Sequence, residues 1–225
     1  MEKTVRILED RAKRSLMAAA GLAVCAVGTY FQMQADLGMA PWESLNQGLA
    51  IKFHTTYGTA CITVALLVIA ADLLLKERIG IGTILDALLV GTFVDICVAA
   101  DFVAVPDSLP GKLLLLFLGI VTICFGQALY MRAGLCCGPR DALMVGLGKR
   151  AAKVPIGLVN ITILAAVLAV CLPLGSPIGL GTVICAFGTG VVMEGVFRLV
   201  HFKPRQVVHE GIFETCAVLL KHRTV

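Results

Sequence analysis

The chain has 225 residues, 58% of them hydrophobic and only 15% charged, with a mean hydropathy of +0.91; soluble domains carry about a quarter charged residues, so a water-soluble globular enzyme is excluded. Nineteen Lys and Arg against fifteen Asp and Glu give a net charge of +4, and the basic residues gather in a few short stretches, the pattern of membrane-side sorting and not of a nucleic-acid surface. Six spans of about 20 residues would use most of the chain and leave no room for a soluble catalytic domain.

In chain order, the segment up to Arg14 carries Lys3, Arg6, Arg11, Lys13 and Arg14. No short apolar core with a small-residue cleavage site follows, so residues 1–15 read as a cytoplasmic tail before a retained first span. Apolar runs then cover Ser15–Ala35, Gly58–Leu75, Ile79–Ala100, Lys112–Met131, Ile156–Leu174 and Ile178–Val200, which predicts six transmembrane helices. In the cytoplasmic tail 201–225, Val208, Ile212, Phe213, Cys216 and Leu219 recur at helical spacing and predict a surface helix. With the N-terminus in the cytoplasm, seventeen of the nineteen basic residues fall on that side, and only Lys52 and Lys112 on the other. The positive-inside rule therefore puts both termini in the cytoplasm.

An internal repeat organises the chain. Ala35-Asp-Leu-Gly-Met-Ala-Pro41-Trp-Glu-Ser-Leu45 aligns with Ala133-Gly-Leu-Cys-Cys-Gly-Pro139-Arg-Asp-Ala-Leu143 at an offset of 98. Upstream, Gly21, Gly28 and Met33 match Gly119, Gly126 and Met131. Downstream, at an offset of 99, Gly58, Gly82, Thr83, Gly91 and Asp95 match Gly157, Gly181, Thr182, Gly190 and Glu194. Residues 16–105 and 106–200 thus form two units of three spans. Three is odd, so the second unit must enter the membrane from the opposite side. The predicted fold is an all-α polytopic bundle of two inverted three-helix repeats, each with a short amphipathic or re-entrant helix after its first span.

These residues resemble the YczE/YyaS/YitT-type family of bacterial integral membrane proteins, its YczE branch most closely. The resemblance rests on Leu37-Gly38-x-x-Pro41-Trp42-Glu43, on Gly80-x-Gly82-Thr83 with Gly91 and Asp95, and on their echoes Gly138-Pro139-Arg140-Asp141 and Gly179-x-Gly181-Thr182. It implies a small multi-pass protein of the bacterial inner membrane that moves a solute or modulates a membrane-linked pathway. It carries over no catalytic residues.

The candidate chemistry sits in three places. Pro41 and Pro139 can each open a short helix, with Glu43 or Asp141 two residues on at the positive end of the dipole. From Trp42 onward, Leu45, Leu49 and Phe53 share one face, opposed by Glu43, Asn46 and Gln47; the helix is either pore-lining, with Arg140 its counterpart across the repeat, or interfacial with Trp42 as anchor. In the apolar runs, Asp86 and Asp95 lie nine residues apart on opposite helix faces, and Asp95 pairs across the repeat with Glu194. Ionised groups there need a partner or water: Asp95 and Glu194 are either a symmetric pair at opposite gates or snorkelling acids, and Asp86, with Cys185 as its counterpart, is either a coupling-ion or proton site or a buried acid kept neutral. Asp72 reads as an interfacial acid that pairs with Lys76. Gly82-Thr83 and Gly181-Thr182 either expose backbone and hydroxyls to a solute or allow close helix packing. Adjacent Cys136 and Cys137 could support redox chemistry or acylation.

The four histidines lack ligand spacing with another acid or Cys, and neither a phosphate loop nor a dinucleotide fingerprint occurs. No catalytic constellation, metal or cofactor is expected. The expected function is a small secondary transporter or exporter of a small solute in the lipid bilayer, with no nucleic-acid partner; the small size suggests a homodimer. The alternative is a scaffold that binds a partner through the basic loop from Arg140 to Lys153 and the C-terminal tail.

Overall fold

The computed structural model describes residues 2–135, 137–151 and 153–202. Cys136 and the surface helix expected beyond residue 205 lie outside the described residues. Eight helices follow in order: α1 (Glu2–Ala35), α2 (Pro41–Lys52), α3 (Tyr57–Leu74), α4 (Ile81–Ala100), α5 (Leu109–Arg132), α6 (Pro139–Arg150), α7 (Ile156–Leu174) and α8 (Leu180–Leu199). All but α2 and α6 are long and apolar enough to cross a bilayer; those two have twelve residues each and are too short. The expected spans differ by a few residues at their ends. The larger difference is at the start, where the basic segment continues α1 as one 34-residue helix; Lys, Arg, Glu and Leu favour helix, and no Gly or Pro interrupts before Gly21.

Local sequence sets the helix ends. Thr56 and Ser108 cap α3 and α5 by accepting the Thr59 and Gly111 N–H. Proline opens α2 and α6, where its missing N–H costs nothing. Gly175, at φ +65°, closes α7 in the left-handed region.

The centre is the antiparallel crossing of α1 and α5, made close by glycine. A Cβ on Gly21 would lie 2.7 Å from the Gly126 carbonyl oxygen, and one on Gly28 2.7 Å from that of Gly119. In lipid, close van der Waals contact of this kind holds helices together where no hydrophobic drive exists between them. Helix α4 packs on α1, α8 packs on α5, and the short helices each reach α3 and α7.

The loops before the short helices are pinned in matched ways. The Gly82 N–H donates to the Leu135 carbonyl at 2.8 Å, and the Gly181 N–H to the Leu37 carbonyl at 2.6 Å. Arg14 donates to the carbonyls of Ala133 and Gly134 at 2.7 and 3.1 Å, while Lys112 pairs with Asp36 at 2.7 Å. Each member of these pairs stands 98 or 99 residues from its counterpart.

One contact breaks the match. Helices α3 and α4 touch through Gly58 and Gly91, both buried, and Asp95 Oδ1 accepts the Gly58 N–H at 2.8 Å. Their counterparts on α7 and α8, Gly157 and Gly190, are exposed, with nothing within 4 Å of where a Cβ would stand. Cys61 and Ala87 are likewise buried where Asn160 and Ala186 are exposed. Sequence identity at the glycines is therefore not matched by contact.

Asp72 corrects an expectation. It is fully buried within the bundle, where α6 packs on α3, and not exposed at the surface as an interfacial acid would be.

Candidate functional site

The N-termini of α2 and α6 meet in the bundle interior. Pro41 and Pro139 are buried, and the residues that follow them face one another. Arg140 Nη1 donates to Glu43 Oε1 at 2.6 Å, and its guanidinium lies 5.3 Å from the centroid of the Trp42 ring. Trp42 and Arg140 are counterparts at an offset of 98, so the cation–π contact joins equivalent positions. Trp42 thus serves as a platform for Arg140 and not as an anchor at the bundle surface. Both faces of α2 are engaged: Leu45 packs with Val64, Val68 and Val167, and Asn46 on the opposite side is fully buried.

Two cavities flank the Glu43–Arg140 pair. One, labelled inner for its place beside α3 and α4, is about 210 Å³ and lies among α1, α3, α4, α5 and α6, with Asp86, Cys25, Cys61 and Tyr130 on its walls. The outer one, about 350 Å³, lies among α2, α5, α7 and α8, with Gln32, Asn160, Cys185 and Thr189. Both include Glu43, Gln127, Arg140 and Asp141. Their walls correspond across the repeat: Cys61 with Asn160, Asp86 with Cys185, Val90 with Thr189 and Tyr130 with Gln32. Both are at or below the low end of the roughly 300–1,000 Å³ of drug-sized sites, so only a small solute fits.

Asp86 projects from α4 toward the start of α6. A Cβ on Gly138 would stand 2.8 Å from its Oδ2. Asp141 is exposed in the first turn of α6 and borders both cavities. Glu43, Asp86, Arg140 and Asp141 therefore gather at one place, with Trp42, Pro41 and Pro139 as their frame.

The remaining predicted residues lie elsewhere. Thr83 and Thr182 line neither cavity: each hydroxyl accepts an N–H from the residue opening its helix, Gly80 or Gly179, at 3.2 Å, and Thr83 also donates to the Cys137 carbonyl at 2.7 Å. With Gly82 and Gly181 they hold the loops that deliver α2 and α6. Asn46 donates to the Tyr57 hydroxyl at 3.4 Å. Asp95 holds Gly58 and borders a separate cavity of about 420 Å³ near Gln47 and Tyr57. Glu194 is exposed and pairs with Arg198 at 2.5 Å. Gln127 and Thr29, not among the sequence candidates, also line the inner cavity; their alignment at an offset of 98 is the signal that could have found them.

Among known proteins, residues 12–198 match a family described as "Family of unknown function (DUF6198)". The chain is 31% identical over 179 residues to an "Uncharacterized protein" of Haemophilus influenzae, covering 80% of this chain and 81% of that one. It is 31% identical over 182 residues to the "Uncharacterized membrane protein YczE" of Bacillus subtilis, covering 78% and 81%, and 27% identical over 187 residues to the "Uncharacterized protein YyaS" of the same organism, covering 81% and 92%. No solved structure matches it at a significant level. The resemblance drawn from the Pro-Trp-Glu and Gly-x-Gly-Thr segments thus holds across most of the chain: it is a multi-pass integral membrane protein and belongs to the DUF6198 family, with YczE and YyaS among its relatives.

Proposed function

We propose that this protein is a small secondary transporter whose two halves, inverted relative to each other, exchange conformations around the Glu43–Arg140 pair. The observation that carries the reading is the inequality of equivalent contacts: α3 and α4 are closed through Gly58, Gly91 and Asp95, while Gly157 and Gly190 on α7 and α8 stand apart. Two halves of like sequence in unlike arrangements make two states of similar energy, related by swapping which half is closed. The matched cavities on either side of one charged pair supply a solute site that each state would open to a different side. Basic-residue sorting supports a bacterial inner-membrane location with cytoplasmic termini.

Of the basic loop on which the scaffold alternative relies, Arg140 is drawn into the interior, and Lys149 and Arg150, though exposed, are engaged within the chain: Lys149 pairs with Glu77 at 2.6 Å, and Arg150 donates to the Leu75 carbonyl at 3.1 Å. Proteoliposomes holding a pH-sensitive dye test the reading against a panel of small solutes. At least one solute class should drive proton movement that vanishes when Glu43→Gln, Asp86→Asn and Asp141→Asn are combined. Solute and proton fluxes indifferent to that triple change would overturn it.

A further inference from the structure

We infer that the central site takes a small monovalent organic cation, an ammonium or guanidinium, in exchange for a proton at Asp86. This rests on the transporter reading above and names its substrate class.

The argument is one of charge balance in a confined place. Three carboxylates, Glu43, Asp86 and Asp141, border the inner cavity, with a single guanidinium, Arg140. The two helix N-termini there add about half a positive charge each. Glu43 and Asp141 sit in the first turns of α2 and α6 and offset those ends. Arg140 is engaged by Glu43. What remains is one negative charge, and it falls to Asp86, for which no hydrogen bond or ion pair is found among the described residues. From every packed element the titratable neighbours facing it are Cys25 of α1, Glu43 of α2, Cys61 of α3, Tyr130 of α5, and Arg140 and Asp141 of α6. None but Arg140 brings positive charge.

Asp86 is half-buried on the cavity wall, where an ionised carboxylate needs water, a counter-charge or a proton, and a bound cation balances the charge that is left over. The same features disfavour an anion: both helix ends and the only guanidinium already have carboxylate partners in the chain. Trp42 borders the outer cavity, and its ring stacks on Arg140, the guanidinium shared by both cavities. Arg140 itself shows the mode, a guanidinium held between Glu43 and that ring. In repeat two, Asp86 is replaced by Cys185, so the outer cavity has no second acid at that place and the charge is carried once.

Trp42 is the only tryptophan of the chain, so its fluorescence reports on this site without a label. Purified protein is titrated with propylammonium and methylguanidinium, and with butyrate and butyramide as matched anion and neutral probes. The cations should change Trp42 emission saturably and the other two should not. Lowering the pH should weaken cation binding, since a proton and the cation compete for one carboxylate. Asp86→Asn should weaken it by about thirtyfold or more, the scale of deleting one partner of a desolvated charge pair, while a melting temperature close to wild type shows the fold is kept. Saturation by butyrate instead, or cation binding that ignores both pH and Asp86→Asn, overturns the inference. The transporter reading fails separately: cation binding as predicted, with spin-label distances across α3–α4 and α7–α8 that never change in any solute or pH, would leave a cation site in a protein that does not alternate. No probe changing Trp42 emission, together with such fixed distances, would overturn both.

Discussion

Arg140 is the residue on which the site turns, because it occupies the gap between two helix N-termini that would otherwise repel it. Its guanidinium cannot shed its proton, so its position depends on Glu43 at 2.6 Å and on the face of Trp42. Arg140→Gln would leave Glu43 largely buried without its partner, and a loss of about 3–5 kcal/mol in unfolding free energy is expected by chemical denaturation in detergent. The double change Glu43→Gln with Arg140→Gln should recover part of that, since neither charge is then stranded. Equal melting of the single variant and wild type would show that the pair has no structural share. The two threonines behave differently. Thr83→Val removes a hydroxyl that accepts from Gly80 and donates to the Cys137 carbonyl, with an expected cost of about 1–3 kcal/mol and no direct effect on cation binding. The sequence left these hydroxyls open between ligand and structural roles, because a Gly-x-Gly-Thr segment looks the same in either. Only the placement of the Cys137 carbonyl decides it.

At the scale of the helices, glycine does two kinds of work that composition alone does not distinguish. Gly28 permits the α1–α5 crossing, and a side chain there meets the Gly119 backbone and Ile123. Gly28→Leu should therefore abolish the folded, monodisperse protein in detergent, a severe effect because backbone cannot yield as a flexible side chain can. Gly190 has open space around it, and Gly190→Ala should stabilise this arrangement by up to about 1 kcal/mol through helix propensity, raising the melting temperature. The same methyl group would obstruct closure of α7 on α8, so stability should rise as transport falls. A melting temperature lowered by Gly190→Ala would argue that the gap is filled. The short helices were legible from Pro41 and Pro139, from the acids two residues on, and from the length of the run. Their burial was not, because an amphipathic stretch of twelve residues suits a surface as well as an interior; the second face of α2, with Asn46 at 0% exposure, settles it.

At the scale of the molecule, the offset of 98 or 99 residues identified equivalent positions without saying which would meet: Gly21 and Gly28 of α1 cross Gly126 and Gly119 of α5, each meeting the other's counterpart, and Trp42 meets its own counterpart Arg140. It could not foretell that the halves differ, since Gly58 and Gly157 are the same residue and only the conformation separates them. Pairing Asp95 with Glu194 as equal gates was likewise beyond the sequence to decide: one holds the Gly58 backbone and the other a nearby arginine. If the halves exchange roles, equivalent distances must trade. Spin labels at Thr59 and Ile96, exposed on α3 and α4, and at their counterparts Leu158 and Gly195, exposed on α7 and α8, measure both gaps by pulsed electron resonance in a background with the native cysteines replaced. The account predicts a shorter main distance for 59–96 than for 158–195, a minor population of each at the other's value, and opposite shifts in the two when pH or propylammonium is changed. A single fixed distance for each pair under all conditions, or gaps that open and close together, would contradict it.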